Sequence, residues 1–93
     1  MTFQNHLKGY QLSYSNSAKK MLKKLDRALA KKVEEKLDDL VQGEENVDVK
    51  QLKAYSTPTY RLRIGDIRAI YEVYEHTIIV YVIKVGHRRD IYD

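Results

Sequence analysis

The chain has 93 residues, of which 43% are hydrophobic and 32% charged, and it carries a formal net charge of +4 at pH 7. This length accommodates one compact domain with a thin core and no large cofactor-binding crevice. Because the sequence has no cysteine, it excludes a disulfide framework, a thiolate nucleophile and a zinc site built on sulfur.

The charges are distributed unevenly along the chain. Residues 1–32 contain eight basic residues and one acid, whereas residues 33–50 contain two basic residues and seven acids. The positive balance favours an anionic partner that contacts one side of the molecule. No run of about 18 apolar residues and no secretory signal pattern occurs, so we expect a soluble cytoplasmic protein without a membrane partner.

The first half of the chain predicts one strand and two helices. Residues 1–9 are expected to form a flexible leader, and residues 10–14 alternate apolar and polar side chains as a half-buried strand does. Residues 15–17 offer N-caps for an amphipathic helix that ends near Leu25. Asp26 can cap a second helix, which Gly43 would end. The two helices are expected to form a hairpin.

The second half predicts a three-stranded antiparallel meander. Residues 43–48 are expected to form an acidic loop, and residues 55–59 a second loop that contains Pro58. Residues 60–64, 67–74 and 77–85 are rich in Val, Ile and Tyr, and the pairs at 65–66 and 75–76 fit tight hairpin turns. The predicted order is β, α, α, β, β, β, which is a small single-domain α+β fold over residues 1–93.

The first predicted hairpin places three arginines on one face of the sheet. A two-residue turn at 65–66 sets Arg63 opposite Arg68 and Arg61 opposite Ile70, while the alternate residues face the helices. Like charges directly opposite each other destabilise a strand pair unless an anion or an acidic partner lies between them. Arginine binds phosphate oxygens in a bidentate manner. An ordinary solvated face is the alternative, because Glu72 lies on the same side.

Two further groups of residues are candidates for contacts with nucleic acid. The tail after the last strand contains His87, Arg88 and Tyr92, which could titrate, bind phosphate and stack on a base. Something must also cover part of the arginine face, because the last strand is apolar on both sides. The first helix carries lysines that are expected to be exposed and that suit contact with a polyanion. They are Lys19, Lys20, Lys23 and Lys24. The alternative is that these lysines only make the protein soluble.

The sequence resembles the RelE/ParE superfamily of bacterial and archaeal toxins, and its RelE branch in particular. The resemblance covers about residues 10–92. It rests on LKA at 52–54, on the segment YRLRIGDIRAIYEV at 60–73, on VIKVGHR at 82–88, and on the pair Ile91 and Tyr92 near the end of the chain.

The resemblance implies a RelE-like microbial ribonuclease fold and a toxin of a type II toxin-antitoxin system. RelE-like toxins are ribosome-dependent endoribonucleases that cut mRNA in the ribosomal A site by attack of the ribose 2′-hydroxyl on the adjacent phosphate. No metal and no cofactor is implied. The implied partners are a RelB-like antitoxin, the ribosome with its rRNA, and mRNA, and the toxin-antitoxin complex is expected to bind operator DNA through the antitoxin.

The resemblance also implies site residues. Arg61, Arg68, Arg88 and Tyr92 match catalytic positions of the family, whereas Arg63 and His87, with the four lysines of the first helix, are expected to bind RNA. The best-understood RelE member has lysines where this chain has Arg61 and Arg63, so the identity of the general base is open. Either Tyr92 or His87 transfers the proton, or the reaction depends mainly on charge stabilisation and on alignment of the substrate by the ribosome. Two alternative functions are kept. One is a ParE-like inhibitor of DNA gyrase, and the other is a non-catalytic protein that binds an antitoxin or acts in a repressor complex.

Overall fold

Two helices pack on one face of a five-stranded sheet in a computed structural model, which describes residues 5–91 of the chain. The elements in chain order are β1 (Gln11–Tyr14), α1 (Asn16–Lys24), α2 (Arg27–Gln42), β2 (Asp48–Leu52), β3 (Thr59–Ile64), β4 (Ile67–Tyr74), β5 (Ile79–His87) and a short 3₁₀ helix (Arg88–Asp90). The sheet order is β1-β5-β4-β3-β2, with β1 parallel to β5 and the other pairs antiparallel. The predicted α+β class, helix hairpin and meander are confirmed.

Local signals in the sequence fix the ends of both helices. The Ser15 side chain accepts a hydrogen bond from the backbone N–H of Ala18, and the Asp26 side chain accepts one from the N–H of Ala28. Gly43 ends α2 at φ +82°, in the left-handed region that glycine adopts at low cost. The predicted caps are therefore those that the structure uses.

The core lies between the helices and one face of the sheet. Val33, Leu37 and Leu40 of α2 are fully buried and belong to the same apolar cluster as Leu62 of β3 and Val82 of β5. Core side chains recur every three or four residues along α2, and every second residue along a strand faces the helices. Neither α1 nor α2 packs on the opposite face of the sheet, and we call it the open face.

The strand β2 was not predicted from the sequence. The sequence predicts an acidic loop that includes Asp48 and no element at Leu52, but residues 48–52 pair with β3 in antiparallel register. The strand lies at the edge of the sheet and is mostly polar, with only Leu52 buried. Edge strands often carry charges that discourage pairing with other chains, which removes the apolar alternation used to recognise a strand.

The turn between β4 and β5 also differs from its prediction. A two-residue turn at 75–76 was expected, with the last strand beginning at Thr77, but the turn spans residues 75–78 and β5 begins at Ile79. Ile78 adopts φ +50°, which is unfavourable for a β-branched residue, and its side chain is exposed. The high β-propensity of Ile78 therefore misplaced the start of the strand.

The structure holds residues 5–9 against the end of α2. The Asn5 side chain donates hydrogen bonds to the carbonyls of Leu40 and Glu44, at 2.9 and 2.7 Å, and the Gly9 N–H donates to the carbonyl of Val41. Leu7 packs against the core cluster. This part of the expected leader is thus anchored, and residues 1–4 lie outside the described residues.

A bulge in β5 explains why that strand is apolar on both sides. The register moves from Ile70 opposite Lys84 to Tyr71 opposite Val82, which leaves Ile83 as the extra residue. The strand is central, as predicted, and lies between β1 and β4. The bulge is supported by α1 and its cap, because the Ser15 hydroxyl donates to the carbonyl of Ile83 at 3.2 Å.

Ser15 is expected to contribute to stability in two ways, as the N-cap of α1 and as a donor to the bulge. We predict that Ser15→Ala lowers the free energy of unfolding by about 1–2 kcal/mol, measured by urea denaturation. Ser17→Ala, in the exposed first turn of the same helix, is the matched control and should change stability little. Equal effects of the two substitutions would contradict this role of Ser15.

One further property concerns membranes. Within residues 5–91, neither helix has the length and apolar character needed to span a bilayer.

Candidate nucleic-acid interface

The hairpin of β3 and β4 brings the predicted arginines onto the open face. Arg63 lies opposite Arg68, Arg61 opposite Ile70, and Ile64 opposite Ile67, which is the predicted register. Gly65 begins the two-residue turn at φ +57°, as a tight hairpin requires. The strands on either side extend the arrangement into two rows that share this face, namely Asp48, Arg63, Arg68 and Gly86 in one, and Lys50, Arg61, Ile70 and Lys84 in the other.

Asp48 lies beside two of the arginines. Its Oδ1 is 4.0 Å from Nη2 of Arg61 and its Oδ2 is 3.9 Å from Nε of Arg63. Asp48 therefore supplies part of the acidic partner that the opposed pair of Arg63 and Arg68 was expected to need. The sequence did not predict this contact, because it requires β2.

Arg68 is buried, with only 7% of its surface exposed. Its Nη1 donates hydrogen bonds to the carbonyl oxygens of Gly65 and Ile67, at 3.1 and 3.4 Å. The turn that fixes the register thus also fixes the direction of this guanidinium. A cation held by backbone dipoles needs little reorganisation when an anion binds.

The end of the chain returns to the same turn. The backbone N–H of Arg88 donates to the carbonyl of Asp66 at 2.7 Å, which places the 3₁₀ helix beside the hairpin turn. Asp66, His87, Arg88 and Arg89 line an open depression of about 340 Å³, and all four are exposed. The structure therefore brings His87 and Arg88 close to the turn that holds Arg68. Tyr92, the remaining predicted catalytic residue, lies outside the described residues.

Ile91 covers part of the open face, as the sequence indicated that some segment must. Leu52, Ile70 and Ile91 form a small buried cluster, and the half-buried Ile83 packs against it. Gly86 permits this approach, because a Cβ at that position would lie 3.2 Å from Cδ1 of Ile91. The bulge in β5 matters here, since it directs Ile83 to the same cluster.

The acidic residue Glu72 is engaged away from the arginines. Its Oε1 accepts a hydrogen bond of 2.8 Å from the hydroxyl of Tyr74, and this bond raises the pKa of the Tyr74 phenol. Glu72 lies opposite Thr59, one row beyond Arg61 on the same face. This carboxylate therefore marks the end of the cationic part of the open face.

The lysines of α1 form a separate surface. All four candidates are exposed on the helix, and α1 packs on the side of the sheet opposite the arginines. The structure therefore does not bring Lys19, Lys20, Lys23 and Lys24 together with the arginine rows.

Sequence reasoning missed Asp48 and Lys50 as members of the open face. One signal could have found them. A stretch without secondary structure from residue 43 to 59 is unusually long for so small a domain, which argues for an additional element there. Val47 and Val49, two residues apart, mark the side of that element that faces the core.

Comparisons with known proteins agree with the geometry. The family model described as the ParE toxin of type II toxin-antitoxin systems, parDE, matches residues 12–92. A chain of the archaeal RelE-RelB complex from Pyrococcus horikoshii OT3 is 27% identical, with a TM-score of 0.72, over 86% of this chain and 96% of that chain. No curated protein is significantly similar in sequence.

Two further solved structures are similar. A chain of the RelB-RelE complex from Methanococcus jannaschii is 25% identical, with a TM-score of 0.70, over 87% of this chain and 95% of that chain. A chain of the RelBE2 complex from Mycobacterium tuberculosis has a TM-score of 0.76 at 23% identity, over 90% of this chain and 97% of that chain, and shows the likeness of fold.

The helix pair, the five-stranded sheet and the matched structures define a small toxin fold of the RelE/ParE superfamily. The chain belongs to the ParE toxin family of type II toxin-antitoxin systems, since the family model covers most of its length. The resemblance to this superfamily is thus confirmed.

Gly86 is predicted to position the end of the chain. A methyl group at this site would press on Cδ1 of Ile91, so Gly86→Ala should speed amide hydrogen exchange over residues 88–91 several-fold while the core amides keep their protection. Ile91→Val removes that Cδ1 atom. The double variant should therefore exchange more slowly over this segment than Gly86→Ala alone. Unchanged exchange in Gly86→Ala would contradict the assigned contact.

Proposed function

We propose that this toxin is a ribosome-dependent endoribonuclease that cleaves mRNA in the ribosomal A site. The observation that carries the proposal is the placement of Arg61, Arg63 and Arg68 on one sheet face, with Arg88 fixed beside the same turn. Several arginines on one sheet face suit a phosphodiester, whose charge increases as a nucleophile attacks it.

The proposed reaction is an attack by the ribose 2′-oxygen on the adjacent phosphorus. The bond from phosphorus to the 5′-oxygen of the next nucleotide breaks, which gives a 2′,3′-cyclic phosphate and a 5′-hydroxyl. Arg68 and Arg88 hold the scissile phosphate, and Arg61 stabilises the charge that develops on it. One proton must leave the 2′-hydroxyl and another must reach the 5′-oxygen. Tyr92 is proposed as the base, and His87, which is exposed beside Arg88, as the acid.

The lysines of α1 are proposed to contact ribosomal RNA. They occupy a surface separate from the arginines, so one side of the toxin can bind structured RNA while the open face holds the codon. Contacts from lysine to phosphate depend on charge and not on base sequence. This division assigns positioning to the helix layer and chemistry to the sheet.

A RelB-like antitoxin is the proposed protein partner. Three of the similar solved structures are RelE-RelB type complexes, and they match most of this chain. A cationic sheet face suits an acidic partner that folds as it binds. The complex is further proposed to bind operator DNA through the antitoxin.

Inhibition of DNA gyrase is the second candidate function. It is favoured by one observation, the match of residues 12–92 to the family model that carries the ParE name. A gyrase inhibitor does not need cations arranged around a scissile phosphate. The arginine arrangement therefore favours RNA cleavage over this alternative.

The experiment that tests the proposal mixes the purified toxin with programmed ribosomes and end-labelled mRNA, beside a gyrase supercoiling assay. Cleavage only in the presence of ribosomes, with a 2′,3′-cyclic phosphate at the cut, is the expected result. Intact mRNA together with inhibited gyrase would replace the proposal with the gyrase function. Inactivity in both assays would leave a toxin that only binds its antitoxin.

Arg68→Ala and Arg88→Ala are predicted to abolish growth arrest, because each removes a cation from the proposed phosphate site. The circular dichroism spectrum should remain close to that of the wild type, so that the loss of toxicity is not a loss of folding. Lys8→Ala removes one exposed positive charge from the segment before β1, outside both α1 and the open face, and serves as the control. Full toxicity of both site variants at matched expression would refute this assignment.

Tyr92→Phe is predicted to slow single-turnover cleavage on ribosomes by about 10²-fold or more, the scale of general acid-base catalysis. Ribosome affinity should change little, because only one hydroxyl is removed. His87→Gln provides the comparison for the proposed acid. If Tyr92→Phe cleaves at the wild-type rate, proton transfer is assigned to His87 instead.

A further inference from the structure

The carboxylate of Asp48 lies beside Arg61 and Arg63, the two arginines that β3 places on the open face. Its two oxygens face different residues, Oδ1 toward Arg61 at 4.0 Å and Oδ2 toward Arg63 at 3.9 Å. The register of β2 and β3 fixes this geometry, since Asp48 is the cross-strand partner of Arg63. A single small anion thus contacts two guanidinium groups, as a phosphate would.

Both contacts are charge interactions and not hydrogen bonds, because they exceed hydrogen-bond distance. The side chains of Asp48 and Arg63 are 59% and 51% exposed, whereas that of Arg61 is 13% exposed. The pair of Asp48 with Arg63 is exposed on both sides, and exposed ion pairs are weak and exchange readily with other anions. Asp48 can therefore leave the arginines without disruption of the core.

The other anchors of the open face do not depend on Asp48. Arg68 is held by the carbonyls of Gly65 and Ile67, and Arg88 is placed by the hydrogen bond from its backbone to Asp66. The positions of Arg68 and of the Arg88 backbone therefore do not change when the carboxylate leaves. Engagement of Arg61 and Arg63 then requires displacement of the carboxylate.

We propose that Asp48 is a positioning residue that holds Arg61 and Arg63 over the open face and competes with the RNA phosphate for them. The inference rests on the proposed function, in that the displacing anion is taken to be RNA. A single mobile anion must compete with a carboxylate that is already in place. A polynucleotide that also engages Arg68 and Arg88 overcomes this competition, so Asp48 selects for polyanions.

The test compares the free wild-type toxin with Asp48→Asn, which keeps the size of the side chain and removes its charge. The probe is a fluorescent 2′-O-methyl RNA hexamer, which binds but lacks the attacking hydroxyl. Loss of the carboxylate charge beside the two arginines should lower the Kd of the hexamer by about 3- to 10-fold. Asp38→Asn is the matched control, since it removes the same charge from the exposed surface of α2, and its Kd should change less than about 2-fold.

Two further measurements separate positioning from a merely structural role. Asp48→Glu, which restores the charge, should return the Kd toward that of the wild type. In cleavage on ribosomes, Asp48→Asn should lower KM without raising kcat. A Kd for Asp48→Asn that is unchanged or weaker would overturn the proposal, and so would a large loss of kcat at unchanged Kd, which would assign Asp48 to proton transfer.

The binding assay uses neither ribosomes nor gyrase, so its outcome is distinct from that of the proposed function. Tighter binding by Asp48→Asn together with absent ribosomal cleavage would refute the endoribonuclease and keep the competition at this site. Ribosomal cleavage together with unchanged hexamer binding would support the endoribonuclease and refute the competition by Asp48.

Discussion

The antiparallel pairing of β3 with β4 through the Gly65 turn is the constraint on which the rest of this structure depends. Because side chains alternate between the two faces of a strand, the register decides which residues enter the core. In the observed register Leu62 and Ala69 face the helices and the arginines face outward. A slip of one residue would direct charged guanidinium groups into the apolar core, at a cost of several kcal/mol for each unpaired charge. The same pairing therefore builds the core and the open face.

Much of the fold followed from local signals. The helix caps at Ser15 and Asp26 and the turn glycine at 65 are residue types with specific conformational roles, so the sequence predicted these elements and the register between them. The strand β2 did not follow, because its residues serve an edge of the sheet and lack an apolar pattern. The β5 bulge was also missed. Apolar residues at both the odd and the even positions of a strand can result from burial of both faces, or from a bulge that reverses which positions face the core.

The candidate site shows a similar division. The arginines that share a face could be derived from the turn alone, since register follows from turn length. The burial of Arg68 and its bonds to the turn depend on side-chain conformation, which strand alternation does not determine. The contact of Asp48 depends on a strand that was absent from the prediction. Placement of the 3₁₀ helix likewise depends on long-range contacts, namely the backbone hydrogen bond from Arg88 to Asp66 and the packing of Ile91.

The central claim is that the open face binds phosphate through its arginines. Arginine side-chain Nε–Hε signals, followed by NMR as a 2′-O-methyl RNA trinucleotide is added to the free toxin, test it most directly. The account predicts that Arg61, Arg63, Arg68 and Arg88 shift together at one saturating concentration, while Arg27 on the helix layer stays unchanged. Shifts confined to Arg27 and the amides of α1, with the open-face arginines unaffected, would contradict it.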